Sequence, residues 1–298
     1  MPSAVAKMMN EVLKSAPKQD PDMPRDYVAE REKNNRAPLP RCPKNVKITE
    51  LVLNGVHGEK LEKSGNGRGA VLYIHGGGFT GGSARNRRGI TQYIADTFGY
   101  NVYACDYRLA PENIWPAQPE DCLAFYLGML DAGTKPEDII LMGESAGGTL
   151  VLSLPVILKE RGLPMPKASA ALSPCTTQAE NLPSHSSNIS TDYMLGDSVY
   201  RMECRVVFGP DYTEEQLREP SASPLYADFA GLPPVFLSAS DSEALLDDSR
   251  YLYEKLIKAG HRTQLDIQSG VCHAFHMFPV MPEAKESLRM AFEFIDAL

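Results

Sequence analysis

Two glycine-bracketed motifs, each directly after a strand-like run, constrain the fold of this chain most. The second motif, Gly143–Gly147, reads G-x-S-x-G and lies between the apolar run Ile139–Met142 and the helix-like run Gly148–Lys159. This pattern predicts a tight strand-to-helix turn, with glycines where a Cβ would clash. Such a turn would hold the hydroxyl of Ser145 above the edge of the sheet. In isolation, the same pattern would also fit a tight turn with an incidental serine.

The first motif, His75–Phe79, reads H-G-G-G-F and follows the apolar run Ala70–Ile74. Its glycines would let bare backbone N–H groups approach a substrate oxygen, while His75 would orient the loop. The P-loop pattern does not follow, which argues against a nucleotide site of that kind. A nucleophile and an oxyanion hole are the two parts that acyl transfer needs most. The pair of motifs therefore indicates acyl-transfer chemistry.

Composition argues against several other classes of protein. The chain has 298 residues with 43% hydrophobic and 23% charged side chains, as in an ordinary soluble globular protein. Its net charge of −8, with no Lys/Arg run longer than Arg87-Arg88, argues against nucleic acid and membranes as partners. No apolar stretch reaches the ~18 residues of a membrane span, and residues 1–20 lack the apolar core of a secretory signal. The 6 cysteines show no CxxC spacing, so we expect reduced thiols in a cytoplasmic protein.

Short apolar runs alternate with helical patterns along most of the chain. Each strand–helix pair predicts a βα unit, so the expected fold is α/β, with a mainly parallel central sheet and helices on both faces. The stretch Cys175–Asp228 interrupts this alternation, and an excursion of that length usually forms a lid or cap. The helix-compatible stretch Met1–Arg36 is expected to pack with it. The strand candidates are Val46–Leu53, Ala70–His75, Asn101–Tyr107, Asp138–Met142, Ala168–Leu172, Pro234–Ala239 and Thr263–Gln268. The helix candidates are Arg87–Phe98, Pro119–Asp131, Gly147–Arg161, Ser198–Phe208, Ala244–Ala259 and Glu283–Leu298.

Carboxylates and histidines follow the last two strand candidates, where an open α/β sheet builds its site. A serine hydrolase of this kind needs its acid and then its histidine after the serine in sequence. The candidate acids are Asp241, Glu243 and Asp247, and the candidate bases are His273 and His276. Asp247 and Asp248 would also fit as first-turn acids of a helix, favoured by its dipole, or as surface charge. A zinc site at Cys272, His273 and His276 would lack a second ligand pair at the usual spacing.

The combination of motifs resembles one known family. In order, the chain contains H-G-G-G at His75, D-Y-R-L-A-P-E at Asp106–Glu112, G-E-S-A-G at Gly143, E-A-L-L-D-D at Glu243 and H-A-F at His273. These stretches resemble the hormone-sensitive-lipase-like family of α/β-hydrolases, the bacterial esterases of family IV. The resemblance runs from about Val46 to the C-terminus, and the ordered combination is much more specific than a lone G-x-S-x-G.

The resemblance implies roles for particular residues. Ser145 would be the nucleophile, His273 the general base, and Glu243 the triad acid in the place where the family usually has aspartate. The longer arm of glutamate leaves Asp241 and Asp247 as rivals. The implied oxyanion donors are the backbone N–H groups of Gly77, Gly78 and Ala146.

The resemblance also implies a domain plan and an activity. Residues 1–45 would form an N-terminal cap segment and residues 46–298 an α/β-hydrolase catalytic domain, with a cap insertion at about 175–228. The expected activity is that of a serine carboxylesterase on small, short-acyl esters, without cofactor or metal. A lactonase or amidase with the same triad, or a non-catalytic receptor such as the similar gibberellin receptor of plants, is the alternative. As in many family members, a homodimer would form through Thr263–Gln268 and Glu283–Leu298.

Overall fold

The computed structural model describes residues 1–15, 25–65, 67–195 and 199–298, with side chains throughout except for 199–203. Within these ranges the chain forms an 8-stranded sheet in the order β1-β2-β4-β3-β5-β6-β7-β8. The strands are β1 Val46–Leu53, β2 Val56–Lys63, β3 Ala70–Ile74, β4 Asn101–Cys105, β5 Ile139–Glu144, β6 Ala168–Leu172, β7 Val235–Ser240 and β8 Thr263–Gln268. The helices are α1 Ala4–Ser15, α2 Tyr27–Asn35, α3 Arg88–Thr97, α4 Ala117–Asp131, α5 Ala146–Glu160, α6 Ser184–Ser187, α7 Val199–Phe208, α8 Glu214–Arg218, α9 Leu246–Lys258 and α10 Pro282–Asp296.

The predicted α/β fold is confirmed. From β4 through β3 to β8 all neighbouring strands are parallel, while β1 and β2 add an antiparallel edge. The central strands β3, β5, β6 and β7 are buried along their whole length, which is why they read as continuous apolar runs. One face of the sheet packs on α4, α5 and α9, and the other packs on α3 and α10.

One strand was missing from the sequence prediction. Strand β2 lies between the edge strand β1 and β4. It carries several charged side chains, so it lacks the apolar run by which the other strands were predicted. A two-residue turn joins it to β1, with Asn54 at φ 45° and Gly55 at φ 85°. Because Asn-Gly is the strongest short-range hairpin signal, this dipeptide could have revealed β2 from the sequence.

The N-terminal helices and the insertion both contact loops that follow the carboxyl ends of strands. Helix α1 packs through Ala6 against Val271 and Phe275 after β8. From α2, Arg31 donates to the carbonyl oxygens of Thr80 and Ala110, each at 2.7 Å. The insertion between β6 and β7 contributes α6, α7 and α8; the first residue of the predicted helix Ser198–Phe208 lies outside the described residues. The division into cap segments and a catalytic domain stays a prediction.

Two further expectations concern the surface. Among the helices that the structure describes, none is both long enough and apolar enough to cross a membrane. Strand β8 lies at one edge of the sheet with Ile267 exposed on it, which is the position that the expected dimer contact requires. The dimer itself stays a prediction.

Candidate active site

Ser145 occupies the sharp turn between β5 and α5. Its backbone adopts φ 56° and ψ −125°, a conformation that a non-glycine residue tolerates only where the surroundings enforce it. The neighbouring glycines permit the close approach of β3, because a Cβ at Gly143 or Gly147 would overlap the carbonyl oxygen of Ile74. The turn therefore has the strand-to-helix form that the G-x-S-x-G pattern predicts.

Three loops bring Ser145, His273 and Glu243 together. His273 Nε2 lies 2.9 Å from Ser145 Oγ, and His273 Nδ1 lies 2.8 Å from Glu243 Oε2. These residues follow β5, β8 and β7 respectively. Because the strands are parallel, all three residues lie at the carboxyl ends of the strands, on the same side of the sheet. Glu243 is fully buried and His273 is 3% exposed, so Ser145, which is partly exposed, is the most accessible of the three residues. Such an arrangement can pass a proton from a serine hydroxyl to an imidazole.

The rival acids lie elsewhere. Asp241 accepts hydrogen bonds from Ser269 Oγ at 2.7 Å and Gly270 N at 2.8 Å. Asp247 accepts one from the backbone N–H of Ser184 at 2.9 Å. Asp247 and Asp248 do occupy the first turn of α9, as the dipole interpretation requires. For Asp248 the surface-charge alternative is wrong, because its side chain is fully buried.

The second histidine, His276, has a separate environment. Its ring is fully buried, with Nε2 2.9 Å from Ser238 Oγ and 3.1 Å from Ser287 Oγ. Burial lowers the pKa of His276 to about 3, so this ring stays neutral at physiological pH. Within the described residues, no group of three or more His, Cys, Asp or Glu side chains is placed to hold a metal ion.

The charge state of His273 is set by opposing effects. Burial disfavours the imidazolium and lowers the pKa of His273, but the hydrogen bond that His273 donates to Glu243 and the negative charge of Glu243 raise it. Asp192 and Glu144 add further negative charge, and the pKa of His273 ends above its ordinary value of 6.5. This environment stabilises the imidazolium that would form when the ring accepts a proton.

The H-G-G-G loop lies directly against the serine. A Cβ on Gly76 would come within 2.8 Å of Ser145 Cβ, so only glycine fits there. Gly77 and Gly78 adopt φ 125° and 60°, backbone conformations that favour glycine. His75 stacks on Tyr107 at 4.2 Å, and the Tyr107 hydroxyl donates to the His75 carbonyl oxygen at 2.7 Å. The expected orienting role of His75 is consistent with these contacts.

Glu144 is the residue of the site that sequence reasoning missed. Its carboxylate is fully buried and accepts from the backbone N–H of Gly76 at 2.7 Å and from the Tyr73 hydroxyl at 2.6 Å. It also forms an ion pair with Arg87. Glu144 thereby joins the nucleophile turn to the glycine loop. The sequence did carry a signal for this role, because Glu144 lies at the junction of the apolar run of β5 and the apolar helix α5. A carboxylate buried there needs hydrogen-bond partners inside the fold.

Comparison with known proteins supports the fold and its family. Residues 71–277 match the sequence profile of an alpha/beta hydrolase fold family. The chain is 33% identical over 227 residues to an acetyl-hydrolase of Streptomyces hygroscopicus, with 76% of this chain and 74% of the relative covered. It is 32% identical over 261 residues to an esterase of Acinetobacter venetianus, with 87% and 85% covered.

Solved structures give the same result. EstE5, in crystals soaked with p-nitrophenyl butyrate, matches with a TM-score of 0.89 at 29% identity over 98% of each chain. An esterase from the bacterial hormone-sensitive lipase family matches with a TM-score of 0.87 at 31% identity, covering 99% of this chain and 98% of that one. The chain therefore belongs to the α/β-hydrolase family, in its hormone-sensitive-lipase-like group of esterases.

Proposed function

We propose that this esterase is a serine carboxylesterase that hydrolyses small, short-acyl esters through Ser145, His273 and Glu243. The observation that carries the proposal is the continuous contact from Ser145 Oγ to His273 Nε2 at 2.9 Å and from His273 Nδ1 to Glu243 Oε2 at 2.8 Å. The presence of this histidine beside the serine argues against a receptor that has lost catalysis.

The tautomer of His273 follows from its partners. An ionised carboxylate only accepts hydrogen bonds, so Nδ1 carries the hydrogen that is donated to Glu243. Nε2 is then left with its lone pair toward the Ser145 hydroxyl. His273 can take the hydroxyl proton as Ser145 attacks the ester carbonyl carbon, and Glu243 stabilises the resulting imidazolium.

The tetrahedral intermediate carries a negative oxygen that needs donors. In the proposal, the backbone N–H groups of Gly77, Gly78 and Ala146 supply them, with the loop held in place by Glu144. Collapse of the intermediate breaks the bond to the alcohol, which leaves with the proton held by His273. A water then attacks the acyl-enzyme by the same route, and its proton passes through His273 back to Ser145.

Aromatic side chains beside the glycine loop support a restricted acyl pocket. The ring of Phe79, the residue after Gly78, packs edge-on against Trp115 with 5.6 Å between ring centroids. Trp115 packs in turn against Phe208 of the insertion at 5.4 Å. The acetyl-hydrolase of Streptomyces hygroscopicus among the relatives agrees with a small acyl group.

Hydrolysis of p-nitrophenyl esters from acetate to laurate tests the proposal. We expect kcat/KM to be highest at acetate or butyrate and to fall for longer chains, because the proposed acyl pocket is restricted. A maximum at decanoate or laurate would contradict the short-acyl assignment. Absence of turnover on every chain length would favour a lactonase, an amidase or a ligand-binding protein instead.

The pH dependence of kcat/KM gives an independent check. His273 acts as a base only when it is neutral, so activity should rise as pH passes upward through its pKa. Because that pKa is raised in the folded protein, the rise should be centred above pH 6.5. A profile that is flat from about pH 5 to 8, across the ordinary range of histidine, would contradict a histidine base.

A further inference from the structure

The loop that carries Glu243 is hydrogen-bonded to the insertion as well as to the ends of β7 and β8. Side chains within residues 184–192 hydrogen-bond to residues 241–248 at several points. The side chains of the insertion that make these bonds are Ser184, His185, Asn188, Thr191 and Asp192. A segment whose only task was to cover substrate would not need such contacts with the triad acid's own loop.

Asp192 is the most buried charge in this segment, with 2% of the residue exposed. Its Oδ2 accepts from the backbone N–H of Ala244 at 2.8 Å, one residue after Glu243. Its Oδ1 accepts from the backbone N–H groups of Met194 and Leu195 at 3.0 and 2.9 Å. The two carboxylate oxygens therefore join the insertion backbone to the backbone of the acid loop.

Asn188 adds a second connection to the backbone at Glu243. Its Nδ2 donates to the carbonyl oxygens of Glu243 at 2.9 Å and Asp241 at 3.1 Å. Asp192 and Asn188 thus hold the N–H and the carbonyl oxygen of the peptide group that follows the Glu243 Cα. Thr191 Oγ1 donates to the Ser242 carbonyl oxygen at 2.9 Å and so holds the peptide group that precedes it. Since the side chain of Glu243 is long, fixing its backbone limits the range over which its carboxylate can move.

The insertion can act as a rigid support because α9 anchors it in return. Asp248 is fully buried and accepts from the backbone N–H of Thr176 at 2.6 Å, where the insertion begins. Its other oxygen lies 2.6 Å from His185 Nε2, and His185 Nδ1 accepts from the backbone N–H of Leu182 at 3.2 Å. An imidazole that accepts at Nδ1 donates from Nε2, so both contacts are satisfied.

We propose that Asp192 is a positioning residue for the catalytic acid. Through Asp192, the insertion holds Glu243 where its carboxylate meets His273. The inference rests on the proposed function, since it assumes that Glu243 serves the reaction. It assigns the insertion a part in the geometry of catalysis in addition to covering the site.

The charge of Asp192 affects the pH profile of activity, a measurement that a purely structural role would not change. Its carboxylate raises the pKa of His273, so removing the charge should shift the acid limb of the pH profile to lower pH. The titratable groups that interact with His273 are Glu243, Asp192, Glu144 and His276. Of these, Asp192 is the one contributed by the insertion.

Asp192→Asn is the decisive variant. Both oxygens of Asp192 accept from backbone N–H groups, and an amide has a single acceptor oxygen, so one of the two connections must be lost. We expect kcat on p-nitrophenyl acetate to fall by about 10²-fold with KM within about twofold, as for a misplacement of roughly 1 Å. The acid limb of the pH profile should move to lower pH.

Asp192→Glu keeps the charge but moves it, so kcat should fall while the acid limb stays near its wild-type position. Asp211→Asn, which removes an exposed carboxylate of the same insertion, is the matched control and should change neither.

Several outcomes would overturn the inference. The first is a folded Asp192→Asn variant with wild-type kcat. The second is a lower kcat together with a lowered Tm and an unshifted acid limb of the pH profile. The third is failure of both Asp192 variants to fold, and the last two would assign Asp192 to the fold alone. The proposed function is judged separately, by turnover of the wild type and its loss in Ser145→Ala. An active wild type with an unaffected Asp192→Asn would therefore refute the inference and leave the esterase assignment intact.

Discussion

Replacing Ser145 by alanine is expected to lower kcat for p-nitrophenyl acetate by about 10⁶-fold, the effect seen when a triad nucleophile is removed. Without Oγ, no acyl-enzyme can form, and the remaining backbone donors stabilise only direct attack by water. Steady-state kinetics of the purified variant against wild type would measure the loss. A fluorophosphonate probe should label the wild type and leave Ser145→Ala unlabelled.

Ser153→Ala is the matched control for this experiment. Ser153 lies on the same helix, α5, is buried, and donates to the carbonyl oxygen of Thr149 at 2.8 Å. Losing that hydroxyl removes one internal hydrogen bond and should leave kcat within a fewfold of wild type. Residual turnover of Ser145→Ala close to that of Ser153→Ala would show that Ser145 is not the nucleophile.

Replacing Glu243 by glutamine is expected to lower kcat by about 10⁴-fold, because it favours the wrong tautomer of His273. Glu243 Oε1 accepts from the backbone N–H of Ser240 at 3.2 Å, so the glutamine carbonyl oxygen should take that position. The amide NH₂ would then face His273 Nδ1 and donate to it. The imidazole hydrogen would move to Nε2, where it blocks acceptance of the Ser145 proton. The measurement is kcat across pH, with Tm showing that the variant is folded.

The rival carboxylates supply the controls for Glu243→Gln. Asp241→Asn removes a charge from the same loop, and Asp247→Asn removes one from the following helix. The carboxylates of Asp241 and Asp247 hydrogen-bond to Ser269, Gly270 and Ser184 and not to His273. Both variants should retain kcat within about tenfold of wild type, since losing one hydrogen-bond partner of a nearby loop costs about 1 kcal/mol or less. A loss in Asp241→Asn or Asp247→Asn as large as in Glu243→Gln would reassign the acid.

Strong local patterns explain why much of the fold could be predicted. Strands buried on both faces must be apolar, so β3 and β5 were evident from the sequence, within a residue or two of their observed ends. The turn at Ser145 needs glycines on both sides for steric reasons that no distant residue can change. Strand β2, next to the edge strand β1, carries charged side chains and so lacks the apolar run that marks the central strands; the Asn54-Gly55 turn is its clearest signal in the sequence.

Assignments that depend on contacts between distant segments could not be made in the same way. Spacing alone could not separate Glu243 from Asp241, since both follow β7 within a few residues. The direction of each side chain depends on how the loop is held, and that loop is held by residues 184–192 from another part of the chain. The partners of Glu144, among them Gly76 and Arg87, are similarly remote in sequence.

The sequence by itself determined the α/β fold, the nucleophile turn at Ser145 and the glycine loop beside it, because each rests on local sterics or on the periodicity of burial. Only the tertiary structure decided which carboxylate meets His273, that Glu144 ties the glycine loop to the nucleophile turn, and that Asp192 reaches the acid loop. These are hydrogen bonds and charge contacts across long sequence separations, whose distances and directions are fixed only when the packed sheet and the insertion bring the segments together.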